Sequence, residues 1–210
     1  MTPTLAGITG FAALFLLLAL RMPIGLAMML VGAVGIAVLN STTAALNIMG
    51  SFAFSYSAVF TLSVIPLFVL MGAFANVSGM GADMYRAAHA WVGHKRGGLA
   101  AATILACAGF AALSGSSIAS AATMGKVALP EMERYRYSPK LATGSIAAGG
   151  TLGILIPPST VLIVYALLTE QSVGRLFLAG VLPGLLLTAL FVATVFIVSM
   201  MNPEAGPPGE

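Results

Sequence analysis

Two short polar stretches in an otherwise apolar chain hold the residues able to do chemistry. SGSSIAS, residues 114–120, offers the hydroxyls of Ser114, Ser116, Ser117 and Ser120. GILIPPS, residues 153–159, offers Ser159 and a backbone interrupted by Pro157 and Pro158. Two consecutive prolines remove two backbone donors, which in an unbroken helix would bond the carbonyls of Gly153 and Ile154. The residue before a proline is also pushed out of the α region. The backbone from Gly153 to Ser159 is therefore expected to be unwound, with carbonyls free. A hard monovalent cation is held by several neutral or anionic oxygens. Hydroxyls and carbonyls without a carboxylate suit Na+ bound through dipoles better than a proton relay, which needs a chain of Asp, Glu or His. Half-helices restarting after Ser117 and after Pro158 would aim their positive N-termini into the same zone, where an anionic substrate group could sit. A serine nucleophile at GSSIAS is the weaker rival. No His or Lys is placed inside the membrane as its base, and no acidic pair is there for an aspartyl mechanism. The chain is not expected to be an enzyme.

Hydrophobic residues make up 59% of the 210 and charged ones 7%, where soluble domains carry about 25% charge. Mean hydropathy is +1.03. These values exclude soluble folds and imply an all-α polytopic membrane protein with no nucleic-acid partner. Cys107 is the single cysteine, so no internal disulfide forms. Its apolar surroundings make it a packing residue. The start lacks a basic leader, and the apolar run that follows meets Arg21, so no cleavable signal peptide is expected.

The elements that must position the two polar stretches follow from the apolar runs. Residues 1–78 read as scaffold-type transmembrane helices: a hairpin of Thr4–Leu20 and Pro23–Leu39, a short interfacial helix in 40–57, and a third span over 59–77 kinked at Pro66. Residues 79–98 read as an amphipathic helix on the membrane surface, with Trp91 at headgroup level. His89 and His94 are five apart, off the i, i+4 spacing of a metal pair, and are read as interfacial polar residues. Residues 99–200 form a transport-type region. Within it, 99–129 is a re-entrant hairpin, because LAAATILACAGFAAL is about 15 residues, or ~22 Å of helix, too short for a ~30 Å core. Residues 141–168 are a helix broken at mid-membrane depth, and 172–201 a last span punctuated by Pro183. Lipid does not tolerate open backbone, so the break must face protein or a wet cavity. Residues 202–210 read as a disordered tail. The total is about five full spans, one of them broken, plus the hairpin. Lys95 and Arg96 close one leg of the hairpin; Lys126, Arg134 and Arg136 close the other. With the N-terminus outside, eight of the nine Lys and Arg fall inside, all but Arg175, which fits the positive-inside rule.

From GSSIAS through the PPS break to VLPGLLL, and with the earlier PLFVLMGAFA and VGHKRGGLA, the sequence resembles the large membrane subunit of tripartite ATP-independent periplasmic (TRAP) transporters. The resemblance covers essentially the whole chain. It implies a Na+-coupled importer of organic anions, such as C4-dicarboxylates or sugar acids, in the bacterial inner membrane. It implies an elevator-type mechanism, a periplasmic substrate-binding protein and a small membrane subunit. Carried over residue by residue, the ion-binding candidates are Ser114, Gly115, Ser116, Ser117, Thr151, Gly153, Pro157 and Ser159. The substrate-binding candidates are Ser117, Ser120, Ser159 and Thr160. Family members have about twice this length and two inverted repeats, and the site of such folds forms at the repeat interface. One hairpin and one break are present here. The chain is therefore expected to be the N-terminal half of the subunit and, without its second half, unable to complete a transport cycle. A non-transporting membrane scaffold is the alternative.

Overall fold

The structure is a computed structural model and describes residues 3–57 and 60–209. It is all-helical among those residues and divides into two units, 1–62 and 63–210.

The first unit holds α1 (Pro3–Ala19), α2 (Ile24–Leu39) and α3 (Thr42–Ser57). Arg21, with φ 63°, turns the chain between α1 and α2. At 17 and 16 residues these two helices reach ~25 Å, short of a ~30 Å hydrocarbon core. An apolar cavity of about 370 Å³ lies between them.

A 3₁₀ turn (Phe60–Ser63) precedes α4 (Val64–Val77), the first helix of the second unit. Val59, the expected start of this span, lies outside the described residues. Pro66 sits in the first turn of α4, where its missing N–H has no helical acceptor to lose; it opens the helix and does not kink it. The bend falls instead after α4. Gly79 takes a left-handed φ of 81°, and α5 (Met80–Val92) leaves at 64° to α4. Then follow α6 (Gly98–Ser114), α7 (Ser117–Arg134), α8 (Pro139–Leu155), α9 (Thr160–Leu168) and α10 (Val173–Met201). α7 runs past the expected end of the hairpin at 129 and through Pro130.

Among the described residues, two elements are long and apolar enough to cross a membrane: 139–168, taken across its break, and α10. The bent pair α4–α5 makes a third if counted as one span. That is fewer than the five expected, because α1 and α2 stop at 17 and 16 residues and α4 at 14.

The core forms around α6. This helix is apolar all round, as a buried helix should be, and Leu99 through Ile104, Cys107 and Phe110 are fully or almost fully buried. Its alanines let α5, α7, α8 and α10 approach closely. By contrast α10 presents Leu178, Leu182 and Met201 outward at 76–81% exposure, as a lipid-facing surface would.

One end of this unit gathers the basic turns. Tyr137 accepts the Leu99 N–H at 3.2 Å, which ties the start of α6 to the end of α7. Burial raises the Tyr137 phenol pKa, and the Leu99 N–H opposes that shift. Residues 202–209 are not a free tail. Ala205 accepts from the Ser138 N–H, Gly206 accepts from the Gly97 N–H, and the Gly209 N–H donates to Gly93. Ala205 and Gly206 are buried. Proline and glycine suggested disorder there, but they also form a thin strap that fits among helix ends with unpaired backbone groups.

Candidate functional site

The tip of the α6–α7 pair and the α8–α9 break meet. Each is a short non-helical link followed by a serine N-cap. Ser116 (φ −135°, ψ 122°) accepts from the Ala119 N–H at 3.3 Å and starts α7. Ser159 (φ −125°, ψ 129°) accepts from the Leu162 N–H at 3.5 Å and starts α9. α8 ends at Leu155, Ile156 is extended, and Pro157–Pro158 is a cis bond. The two prolines leave the carbonyls of Gly153 and Ile154 without helical donors, as the sequence suggests.

Glycine makes the approach possible. Gly115 closes α6 at φ 57°, and a Cβ there would stand 2.7 Å from the Pro158 carbonyl oxygen. A Cβ on Gly153 would stand 2.7 Å from the Ser116 carbonyl oxygen and 2.9 Å from the Ser117 nitrogen. Contact is thus backbone to backbone, in both directions. Thr160 Oγ1 donates to the Gly115 carbonyl at 3.3 Å and bridges the two links. Ser114 and Ser120 hydroxyls lie 2.9 Å apart, both buried, and close the pair just below its tip. Gly180 and Gly184 bring α10 against Leu155 and Ile156.

Helix length gives the depth of this junction. From the tied basic end, Leu99 to Gly115, Ser138 to Gly153, and Ser199 to Gly184 each run 15 or 16 residues, or ~22–24 Å at 1.5 Å per residue. Beyond it, the nine residues of α9 add ~14 Å. The junction therefore sits inside the length of the unit and not at either end.

The candidate residues fall into three groups. Gly115, Ser116, Gly153, Ser159 and Thr160 line the junction, with Ser117 at the first position of α7, while Pro157 in the break turns its ring toward Gly180 of α10. Ser114 and Ser120 are spent on each other. Thr151 points away: it is exposed, and its hydroxyl donates to Ala148 of its own helix at 2.6 Å. The helix after the tip begins at Ser117, with Ser116 as its cap, one residue earlier than expected. Lys126, grouped by sequence with the basic end of α7, lies eight residues before Arg134 and lines a cavity with Asn76 and Thr123. Asn76 was not singled out from the sequence. A lone amide in the apolar run PLFVLMGAFANV was the signal for it, since such groups mark polar contacts between membrane helices.

Comparison with known proteins identifies the family. Residues 11–205 match the family described as "Tripartite ATP-independent periplasmic transporter, DctM component". Over 149 residues the chain is 49% identical to the C4-dicarboxylate TRAP transporter large permease protein of Pseudomonas aeruginosa, covering 71% of this chain and 35% of that one. Over 177 residues it is 35% identical to the sialic acid TRAP transporter large permease protein of Vibrio cholerae, covering 84% and 41%. Over 207 residues it is 30% identical to an uncharacterized protein of Sinorhizobium fredii, covering 99% and 48%. The matched stretch takes in about a third to a half of these relatives' lengths. With a family match across nearly its whole length, the chain belongs to the tripartite ATP-independent periplasmic transporter family, as a DctM component.

Proposed function

We propose that this chain supplies one half of a secondary transporter that imports organic anions, such as C4-dicarboxylates or sugar acids, with Na+ as the coupling ion. The observation that carries the reading is the backbone contact between the α6–α7 tip and the α8–α9 break. Two interruptions in apolar helices cost stability, and their meeting concentrates carbonyls and hydroxyls in one place. Ser116, Ser117, Gly153, Pro157 and Ser159 are the residues proposed to surround Na+ there, with Gly115 and Ser114 supporting the tip. Ser117, Ser159 and Thr160 are proposed to face the substrate, near the N-termini of α7 and α9, with Ser120 holding Ser114 below the tip.

In this reading α6–α7 is a re-entrant hairpin. Both of its ends lie at the basic end of the unit, with Lys95, Arg96, Arg134 and Arg136. The positive-inside rule makes that end cytoplasmic and the N-terminus periplasmic, in the inner membrane. A second half of the subunit, a small membrane subunit and a periplasmic substrate-binding protein complete the transporter. Relatives named as C4-dicarboxylate and sialic acid permeases support the anion class.

The test combines accessibility with transport. Cysteine is placed at Ser117, and maleimide labelling of the purified chain is compared in NaCl and KCl. Sodium is expected to slow labelling; equal rates in the two salts count against an ion site at the junction. Uptake of radiolabelled succinate into cells is then measured for the chain alone and with the second half of the subunit. Uptake requiring both halves and Na+ is expected. Sodium-independent uptake defeats the coupling proposal, and no uptake with all components present favours a scaffold.

A further inference from the structure

A second polar cavity lies away from the junction. It has a volume of about 320 Å³ and sits where α4 gives way to α5, against one face of α7. Its polar lining is Asn76, Thr123 and Lys126, with Gly79 and Gly81 keeping the opposite wall low. Thr123 Oγ1 donates to Asn76 Oδ1 at 3.0 Å. That bond occupies the amide's acceptor and leaves its NH₂ to donate. Lys126 adds an ammonium group with no ion-pair partner among the described residues. Asp83, next to the lining residue Ala82, is already engaged by Arg86. The cavity thus offers donors and one uncompensated positive charge.

Depth sharpens the point. Lys126 is eight residues from Arg134 and ten from Ser116 along α7, so ~12 Å from the basic end and ~15 Å from the tip. Lys126 and Asn76 are exposed at the rim of the cavity, so both donors are open to an anion there. A cavity of this size is at the lower bound of small-molecule sites, roughly 300 Å³.

We propose that this cavity binds a carboxylate group of an organic anion, held by the Lys126 ammonium and the Asn76 amide. It is distinct from the tip–break junction and lies between it and the basic end. The transport reading enters only in the choice of ligand. An anionic lipid headgroup offers similar chemistry, so the experiment separates the two sources.

The full chain is reconstituted in phosphatidylcholine nanodiscs, and binding of radiolabelled succinate is titrated. Saturable binding is expected, weakened about tenfold or more in Lys126→Met and retained in Lys126→Arg, as loss of a charge-assisted hydrogen bond requires. The titration is run in KCl, where the sodium-dependent junction is silent, which separates this site from the proposed sodium site. In parallel, acetylation of Lys126 in the unmodified chain is followed by mass spectrometry, so the test does not depend on variants folding. Succinate should protect Lys126. Absence of saturable binding, or equal affinity in Lys126→Met, overturns the proposal. Protection of Lys126 in phosphatidylglycerol nanodiscs but not by succinate assigns the cavity to lipid and also overturns it.

Discussion

Gly153→Ala is the sharpest test of how the junction is built. The new Cβ would stand 2.7 Å from the Ser116 carbonyl oxygen, 2.8 Å from the Ser116 carbonyl carbon and 2.9 Å from the Ser117 nitrogen. All three are backbone atoms, so no side chain can rotate aside. Ordinary contact begins near 3.4 Å, so the tip must retreat by about 0.7 Å from the break. Overpacking of this kind costs about 1–3 kcal/mol. Helix propensity works the other way, since alanine gains up to about 1 kcal/mol over glycine in a helix interior. Gly144→Ala isolates that gain, because it lies in the same helix with nothing within 4 Å of its Cβ. The measurement is SDS-induced unfolding in detergent micelles, followed by far-UV circular dichroism. Gly153→Ala is expected to unfold at lower SDS than the native chain, and Gly144→Ala at equal or higher SDS. If the two variants unfold together, the close approach of tip and break is wrong, and with it the reasoning about the site.

Further outcomes follow from other contacts. Ser159→Ala removes the cap of α9 and should cost about 1 kcal/mol in the same unfolding assay, and it should abolish any stabilisation by Na+ over K+. Tyr137→Phe strips the Leu99 N–H of its partner and should cost about 1–3 kcal/mol, the penalty for a buried unsatisfied donor. Because the folded-state pKa of Tyr137 is raised, its contribution is fully present below the unfolded value of about 10 and is lost as pH rises beyond it. A steeper alkaline loss of stability in the native chain than in Tyr137→Phe would show this, and parallel pH profiles would contradict it. Gly206→Val sets a Cβ 2.8 Å from Ser199 Oγ and 3.1 Å from the Gly97 Cα. It should release residues 202–209 to limited proteolysis, and unchanged resistance would show that the strap is not held by these contacts.

The two interruptions were legible because proline and clustered serine act locally. Pro157 and Pro158 cannot accept a helical role whatever surrounds them, and the serines of 114–120 cap and turn by their own hydrogen bonds. That they meet in space rests on three glycines, at 115, 150 and 153; glycine is so frequent in this chain that its spacing alone singles out none of them. Other features were hidden because their cause is tertiary. Residues 202–209 look disordered until the unpaired backbone of Gly93, Gly97 and Ser138 is known. Lys126 looked like part of the basic cluster with Arg134 and Arg136 that closes the hairpin leg, yet α7 continues to Arg134 and leaves Lys126 lining a cavity eight residues back. Thr151 fell in the right motif but on the wrong side of its helix.

The second unit is laced at two levels roughly 22 Å apart, once where Tyr137 and the 202–209 strap bind the helix ends and once where tip and break interlock. A bundle tethered like this resists shear between its members. Displacement across a bilayer would have to carry α6, α7, α8 and the inner part of α10 as one piston. The 64° elbow between α4 and α5 lies between these two lacings, and its hollow holds Lys126.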